Sequence, residues 1–377
     1  MTTPSQHLRG VLLVTKGLDI GGIERVVVDL ALSLRRRDIA VEVAVVNDRR
    51  DRLVPVLLAS NVPVHRLGGT DRIGWRAART LAHLACSPRF DVVHVHGPLP
   101  AVAVRLTPRH RPVITTSHTP WDSLRLLTRW AWRATAGLDA ATVTVSAAVA
   151  SSLPRRIGQR AIVLPHGVDP QAIAAAVDAV APTVTNNGDR VTAITVASHR
   201  GPKNYPNLLH AVRLAIDAGA ALRLIAVGEG PEIDQHRLLV SELGLDGVVE
   251  FMPPAVDILG VIAAADFLVV ASDYEGQPLV VAEALALGRP VVATAVGRAP
   301  ELVGPSVGRV VPPGDPAALA AALVELAADP ALRTALGASA SAHGLTWTLE
   351  DVVSVQLGLY LDLDNHPGDE ALGAGRG

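Results

Sequence analysis

Residues 267–303, FLVVASDYEGQPLVVAEALALGRPVVATAVGRAPELV, decide how this chain folds. They read as strand, loop, helix, strand, loop, helix. Residues 267–271 are a short apolar run suited to a buried strand, and residues 272–277 are polar with a glycine, so the chain turns there. Pro278 suits the first position of a helix, where the N–H it lacks would have had no partner. Gly288 closes that helix and Pro290 prevents its return. Between these marks the helix is apolar on every face except at Glu283, which is the pattern of a buried helix. A buried carboxylate is costly unless something pairs with it or donates to it. Glu275, in the loop just before, is a second acid, so one carboxylate stands at the mouth of a strand and the other inside the following helix.

Such a pair can hold a polyhydroxylated ligand, because a carboxylate accepts two hydrogen bonds from a vicinal diol, as the acidic residue of dinucleotide folds does from a ribose. The helix start beside them offers free N–H groups to a phosphate. Pattern alone leaves a second reading open, with Glu275 a solvated loop residue and Glu283 a core glutamate paired to an arginine. Glu275-Gly276-Gln277-Pro278-Leu279 followed by Glu283 resembles the signature of the retaining, nucleotide-sugar-dependent glycosyltransferases of family four, which have the GT-B fold. The resemblance implies that Glu275 contacts the donor sugar, that Glu283 contacts the nucleotide ribose, and that Gly276, Gln277, Pro278 and Leu279 line the donor site.

The chain has 377 residues, too many for one ordinary core, so two domains are expected. Hydrophobic residues at 49% and charged ones at 19% give a globular composition. A single cysteine, Cys86, leaves nothing for an intrachain disulfide and suits a reducing cytoplasm. The first apolar run, residues 11–14, is too short for a signal peptide, and no run approaches membrane-spanning length. Charge is divided unevenly: residues 1–170 hold 23 Lys and Arg against 12 Asp and Glu, whereas residues 171–377 hold 11 against 24. A basic half next to an acidic half points either to an anionic partner of the first half, such as a lipid phosphate or a membrane surface, or to complementarity between domains. Nucleic acid is disfavoured, because aromatic residues are only 3% and the basic residues form no long run.

In the first half, residues 11–15, 41–46, 62–67, 92–96, 113–117 and 141–145 are short β-branched runs separated by helical or polar segments, the alternation of a parallel sheet covered on both faces. Residues 16–22 form a glycine-rich turn into a helix, which can approach a phosphate but lacks the dinucleotide fingerprint spacing. Gly21, Gly22 and Glu24 resemble the family's Gly-Gly-x-Glu turn, which implies a ligand-facing position for the two glycines. His94 and His96 share one face of a strand; without a third ligand at sensible spacing, structural or cleft-lining roles outweigh a metal site. His118 follows the strand at 113–117, at the end where α/β ligands bind. A structural histidine is the alternative, and the resemblance places His118 near the sugar being transferred. Residues 121–137 put Trp121, Leu124, Leu127, Ala131 and Ala134 at helical spacing with Arg125, Arg129 and Arg133 interleaved, either a packed helix with cationic flanks or a membrane-surface helix. His166 stands where the family's turn before the second domain has asparagine, and the weakly patterned residues 176–190 are expected to be the linker.

In the second half, the strand at 191–197 leads into Ser198-His199-Arg200-Gly201-Pro202-Lys203-Asn204 and a helix over 205–218. Two cations beside a helix start suit a diphosphate, with Arg200 able to clamp two oxygens and Lys203 acting as a point charge. The resemblance implies that these cations neutralise the departing nucleotide; the family's arginine usually falls where Ser198 stands. Gly228 opens a tight turn after the strand at 222–227, again as in the family, whereas Arg298 departs from a common double glycine. Residues 319–327 and 332–343 read as alanine-rich surface helices, and residues 346–363 as a last helix that in GT-B proteins crosses back onto the first domain. The tail from residue 364 is polar and glycine-rich, the composition of a disordered end.

The expectation is therefore an α/β protein of GT-B fold, two Rossmann-like domains facing across a cleft: residues 1–175 for the acceptor, 191–345 for the nucleotide sugar, and 346–363 returning. The resemblance, running from Gly21 to about Leu361, implies transfer of a sugar from a UDP- or GDP-sugar, with retention, to a sugar, lipid-linked or small-molecule acceptor, as in polysaccharide, glycolipid or secondary-metabolite glycoside synthesis. It implies no cofactor and no metal, because positive side chains fill the place of a magnesium ion. The location expected is the cytoplasm, with peripheral contact at the inner face of the membrane. Two other classes remain open from sequence: a sugar-nucleotide-binding protein with impaired catalysis, and an NAD-dependent dehydrogenase using residues 17–22.

Overall fold

Strands that are Val-, Ile- and Leu-rich without polar alternation are stable only when covered on both faces, and that arrangement goes with parallel pairing. The computed structural model describes residues 8–49, 51–70, 73–107, 111–178, 190–254 and 257–365, and every strand pair in it is parallel. The chain forms two units, residues 1–165 with 350–377, and residues 166–349. In the first, β1 (Gly10–Thr15), β2 (Ala40–Asn47), β3 (Val64–Gly69), β4 (Val92–His96), β5 (Val113–Ser117), β6 (Ala141–Thr144) and β7 (Ile162–Val163) lie in the order β3-β2-β1-β4-β5-β6-β7. In the second, β8 (Val191–Val196), β9 (Leu222–Val227), β10 (Val249–Met252), β11 (Phe267–Val270), β12 (Val291–Thr294) and β13 (Gly308–Val311) lie in the order β10-β9-β8-β11-β12-β13. These are two Rossmann-like sheets. Winding reverses between β1 and β4 in one and between β8 and β11 in the other, and in open parallel sheets the ligand crevice opens at the carboxyl ends of such neighbours.

Period-two alternation divides the second unit's core between the two faces of its sheet. Ile194, Leu268, Val270, Val291 and Ala293 join one cluster together with the helix Leu279–Ala286. Ala193, Phe267, Val269 and Val292 join the other, with Leu319, Leu323 and Leu326 of the helix Pro316–Ala328. The alanine-rich stretch read as a surface layer is thus a helix whose leucines are fully buried and whose exposed side is mostly alanine. In the first unit, the helices Trp75–Ala85, Pro98–Arg105 and Leu126–Thr135 send Leu81, Val104 and Trp132 into one cluster. No helix among the described residues is long and apolar enough to cross a membrane.

Two sequence expectations are corrected here. The linker expected at 176–190 begins inside a helix, Pro170–Asp178, whose Ile173 and Ala176 are in the second unit's core; residues 179–189 lie outside the described residues. The unit boundary accordingly falls at 165/166, ahead of the Ala-rich helix, which packs through small residues that leave little periodic signal. Residues 121–137 do not form one helix. A 3-10 turn, Trp121–Ser123, is followed by extended backbone at Leu124 and Arg125, and only then by Leu126–Thr135. The break turns the second helix, so that Leu127 is 85% exposed and Trp132, absent from the expected inner face, is buried. The last helix runs Leu349–Asn365, mostly in the first unit; the tail expected to be disordered lies, from residue 366, outside the described residues.

Candidate functional site

In the second unit the loops that leave β8 and β11 come together at the reversal point. Lys203, at the end of the 3-10 turn Gly201–Lys203, pairs with Glu275 Oε1, and Ser272 Oγ donates to the same oxygen at 2.7 Å. The backbones are tied as well, since Asp273 N–H donates to Pro202 O at 2.9 Å and Asn204 Nδ2 donates to Asp273 Oδ1 at 2.6 Å. Asn204 is also the N-cap of the helix Tyr205–Asp217: it sits in left-handed backbone at φ 45° and its Oδ1 accepts from Asn207 N–H at 3.1 Å. Short polar side chains tolerate that conformation.

Ahead of Lys203 the chain alternates. His199 points inward, fully buried, stacked on Tyr205 with ring centroids 4.0 Å apart and with Nδ1 2.9 Å from His236 Nδ1. Burial, then the charges of His236 and Arg237, holds its pKa down to about 4. Arg200 points out, exposed, with no side-chain hydrogen bond or ion pair among the described residues. A rigid neutral anchor therefore lies beneath a free guanidinium. Gly228 belongs to the same scaffold, because a Cβ there would stand 2.0 Å from Ala197 O, so only glycine lets the β9 turn pass under the β8 exit.

Glu275 and Gly276 lead to Pro278, the N-cap of the helix Leu279–Ala286, one residue earlier than its expected place inside the helix. Glu283 is buried on this helix at 8% exposure. The Gln277 amide is tied to the backbone of His166: Oε1 accepts from His166 N–H at 2.7 Å and Nε2 donates to His166 O at 2.9 Å, which fixes the loop to the start of the unit. His166 is held down to about 4 by burial and then by the Arg298 charge. Arg298 fits without glycine because its backbone is right-handed at φ −90°; its N–H donates to Gly276 O and its guanidinium pairs with Glu301. Its neighbour Gly297 does need to be glycine, at φ 55° with a Cβ position 2.6 Å from both Glu275 O and Gly276 O.

In the first unit, β4 and β5 line up three histidines. His94 Nδ1 is 2.6 Å from Tyr360 Oη of the returning helix and its Nε2 is 2.7 Å from Thr116 Oγ1. His96 Nδ1 is 3.0 Å from His118 Nε2, with the rings stacked. All three are buried, and burial, then the His118 charge, takes His94 down to about 3. Among the described residues no group of three or more His, Cys, Asp or Glu is placed to hold a metal. Gly21 caps the helix Gly22–Arg36 at the end of the β1 loop, and the Glu24 side chain folds back over it.

The structure thus brings together Lys203, Glu275 and the helix start, and separately His96 with His118. It leaves Arg200 outside the contact network of the loop pair. Sequence reading missed Ser272, Asn204 and Asp273. Asn204 carried a usable signal, since asparagine two residues before a proline marks a helix start.

A model of glycosyl transferases group 1 matches residues 190–329, and a model of glycosyltransferase family 4 matches residues 20–172. Similar proteins include an MMP alpha-(1->4)-mannosyltransferase of Mycolicibacterium hassiacum, 30% identical over 68% of this chain and 66% of that protein. A D-inositol 3-phosphate glycosyltransferase of Saccharomonospora viridis is 35% identical over 42% of this chain and 40% of that protein. The match thus spans at most about two thirds of either relative's length. Among solved structures, Anabaena HepE in complex with UDP and glucose has a TM-score of 0.81 at 19% identity, covering 95% of this chain and 99% of that one. Sucrose-phosphate synthase of Thermosynechococcus elongatus has 0.80 at 22%, covering 94% and 99%. At those identities the likeness establishes the fold, which is GT-B. The chain belongs to glycosyltransferase family four.

Proposed function

We propose that this protein is a retaining glycosyltransferase that moves a sugar from a nucleoside diphosphate sugar, UDP- or GDP-linked, to an acceptor hydroxyl. The second unit takes the donor and the first takes the acceptor. The observation that carries the reading is the meeting of Lys203 and Glu275 at the β8/β11 reversal, beside the start of a buried helix that contains Glu283.

The chemical step separates a diphosphate from a sugar ring that gains positive charge. Lys203 has three N–H donors and gives one to Glu275, leaving two for phosphate oxygens. Arg200, unengaged within the described network, supplies a planar fork. With the free N–H groups before Val281, these fixed donors lower the cost of the leaving charge, and they do the work a divalent cation does elsewhere. Glu275 orients the donor sugar, Glu283 receives the ribose hydroxyls, and His118, whose ring meets His96, is the first-unit residue that the family resemblance ties to the sugar being transferred. The departing phosphate takes the acceptor's proton. We assign the protein to the cytoplasm, peripheral at the inner face of the membrane.

Incubation with a panel of UDP-, GDP- and ADP-sugars, read by nucleotide release, tests this assignment; anomeric coupling in the product tests retention. Glu283→Ala should raise the donor Kd roughly tenfold or more, the cost of losing hydrogen bonds to a charged group. Unchanged donor affinity would remove Glu283 from the site. Nucleotide release that is the same with and without acceptor would mark a sugar-nucleotide-binding protein instead.

A further inference from the structure

The break at Leu124 and Arg125 leaves the helix Leu126–Thr135 with two unlike faces. Trp132 and Thr135 are buried, while Leu126, Leu127 and Trp130 are 70%, 85% and 69% exposed and lie on one stripe. Trp75, at the start of the helix Trp75–Ala85, is 70% exposed as well. Both helices pack into the same cluster on one face of the first sheet. A helix that joins two parallel strands runs against them, so both helices begin at the carboxyl end of the sheet, the end that carries His96 and His118.

The stretch of chain that carries this face is rich in cations. Residues 72–160 hold 13 arginines against three aspartates, Asp91, Asp122 and Asp139. Asp91 is buried and Asp139 is taken by Arg105, so Asp122 is the one exposed acid of the three. Arg76, Arg79, Arg125, Arg133, Arg155 and Arg156 are exposed. Three large apolar side chains in a field of arginines form a surface that repels a second copy of itself and attracts a negatively charged, apolar-cored one.

We propose that this face seats on an anionic phospholipid bilayer, with Leu126, Leu127 and Trp130 entering the interface and the arginines meeting lipid phosphates. The inference sharpens the membrane part of the proposed function and shares no residue with the donor site. It presents the His118 end of the sheet to the bilayer, where a lipid-linked acceptor would be found.

Co-sedimentation of the full chain with vesicles, without donor, tests it. The protein should pellet with phosphatidylcholine vesicles containing about 30% phosphatidylglycerol, remain in solution with phosphatidylcholine alone, and be released by high salt. Leu127→Ser with Trp130→Ser, and separately Arg125→Glu with Arg133→Glu, should each weaken binding roughly tenfold or more, with the thermal midpoint unchanged because all four side chains are exposed. Failure of the wild type to bind anionic vesicles, or undiminished binding by both variants, overturns the proposal. Nucleotide release from soluble donor, measured on the same variants, should not change, so a failure here is distinct from a failure of the sugar-transfer reading.

Discussion

Both units reverse their winding between two neighbouring central strands, yet they place opposite kinds of side chain at that end of the sheet. The second unit sets a lysine and a carboxylate against each other, partly open to water, on loops tied together by Asn204, Ser272 and Asp273. The first sets three histidines against one another, buried among strand residues and the returning helix. One arrangement can meet a doubly charged phosphate group; the other can only hydrogen-bond and shape a wall. A common scaffold therefore leaves chemistry to the loops, and the burial of the loop decides whether charge survives there.

The comparison can be broken most forcefully in the first unit, where a buried ion pair lies away from the histidines. Arg105 and Asp139 are 0% and 2% exposed; Nε donates to Asp139 Oδ1 at 2.7 Å, Nη2 donates to Thr115 Oγ1 at 3.2 Å, and the guanidinium lies 4.8 Å above the Trp132 ring. Arg105→Met leaves Asp139 buried without its cation and should destabilise the unit by about 3–5 kcal/mol. Trp75, Trp121, Trp130 and Trp132 belong to this unit and Trp347 to the other, so urea unfolding followed by tryptophan fluorescence in a Trp347→Phe background reads it. Arg105→Met with Asp139→Leu should recover much of the loss. UDP affinity below the transition should hold steady in both variants; a parallel fall would mean that the two regions are not separable.

In the second unit the expected effect is kinetic. Lys203→Ala should lower kcat by roughly a hundredfold to a thousandfold, the usual consequence of removing one fixed donor from a developing negative charge. The acceptor KM should change little, because the loss is confined to the leaving group. A loss of donor affinity equal to the loss in kcat/KM, with kcat preserved, would make Lys203 a binding residue only.

These regions also differ in how much of them could be read in advance. The second unit's strand-loop-helix is local: Pro278, Gly288 and Pro290 punctuate it, and Glu275 and Glu283 stand out because everything around them is apolar. What the pattern could not give was the role of Gln277, whose partner is His166, 111 residues away, or the reason Arg298 is tolerated, which lies in a backbone angle. In the first unit the strands and His94, His96 and His118 were visible, but the contact with Tyr360 depends on a helix more than 260 residues later. The exposed face of Leu126–Thr135 was hidden for a different reason. A two-residue extended break shifts the helical phase, and periodicity counted through the break assigns Leu127 to the wrong side.

The smallest effect concerns the histidine wall itself. His94 is taken from 6.5 to about 3, chiefly by burial and then by the His118 charge. Between those values the unfolded chain binds a proton that the folded chain does not, so stability rises with pH across that window. The contribution is complete above about pH 6.5 and is lost as pH falls, at a limiting slope of about 1.4 kcal/mol per pH unit for one such group. His166 and His199, both held to about 4, add slopes of the same sign from the second unit. His94→Gln keeps a donor and an acceptor for Thr116 and Tyr360 while removing the titration. Its first-unit unfolding free energy, read by tryptophan fluorescence in the Trp347→Phe background between pH 6.5 and 4.5, should therefore fall less steeply than that of the parent, even if the variant starts lower at pH 7. Equal slopes would show that acid acts on the first unit through other groups, and the contrast between a buried histidine wall and a charged grip would then lose its energetic basis.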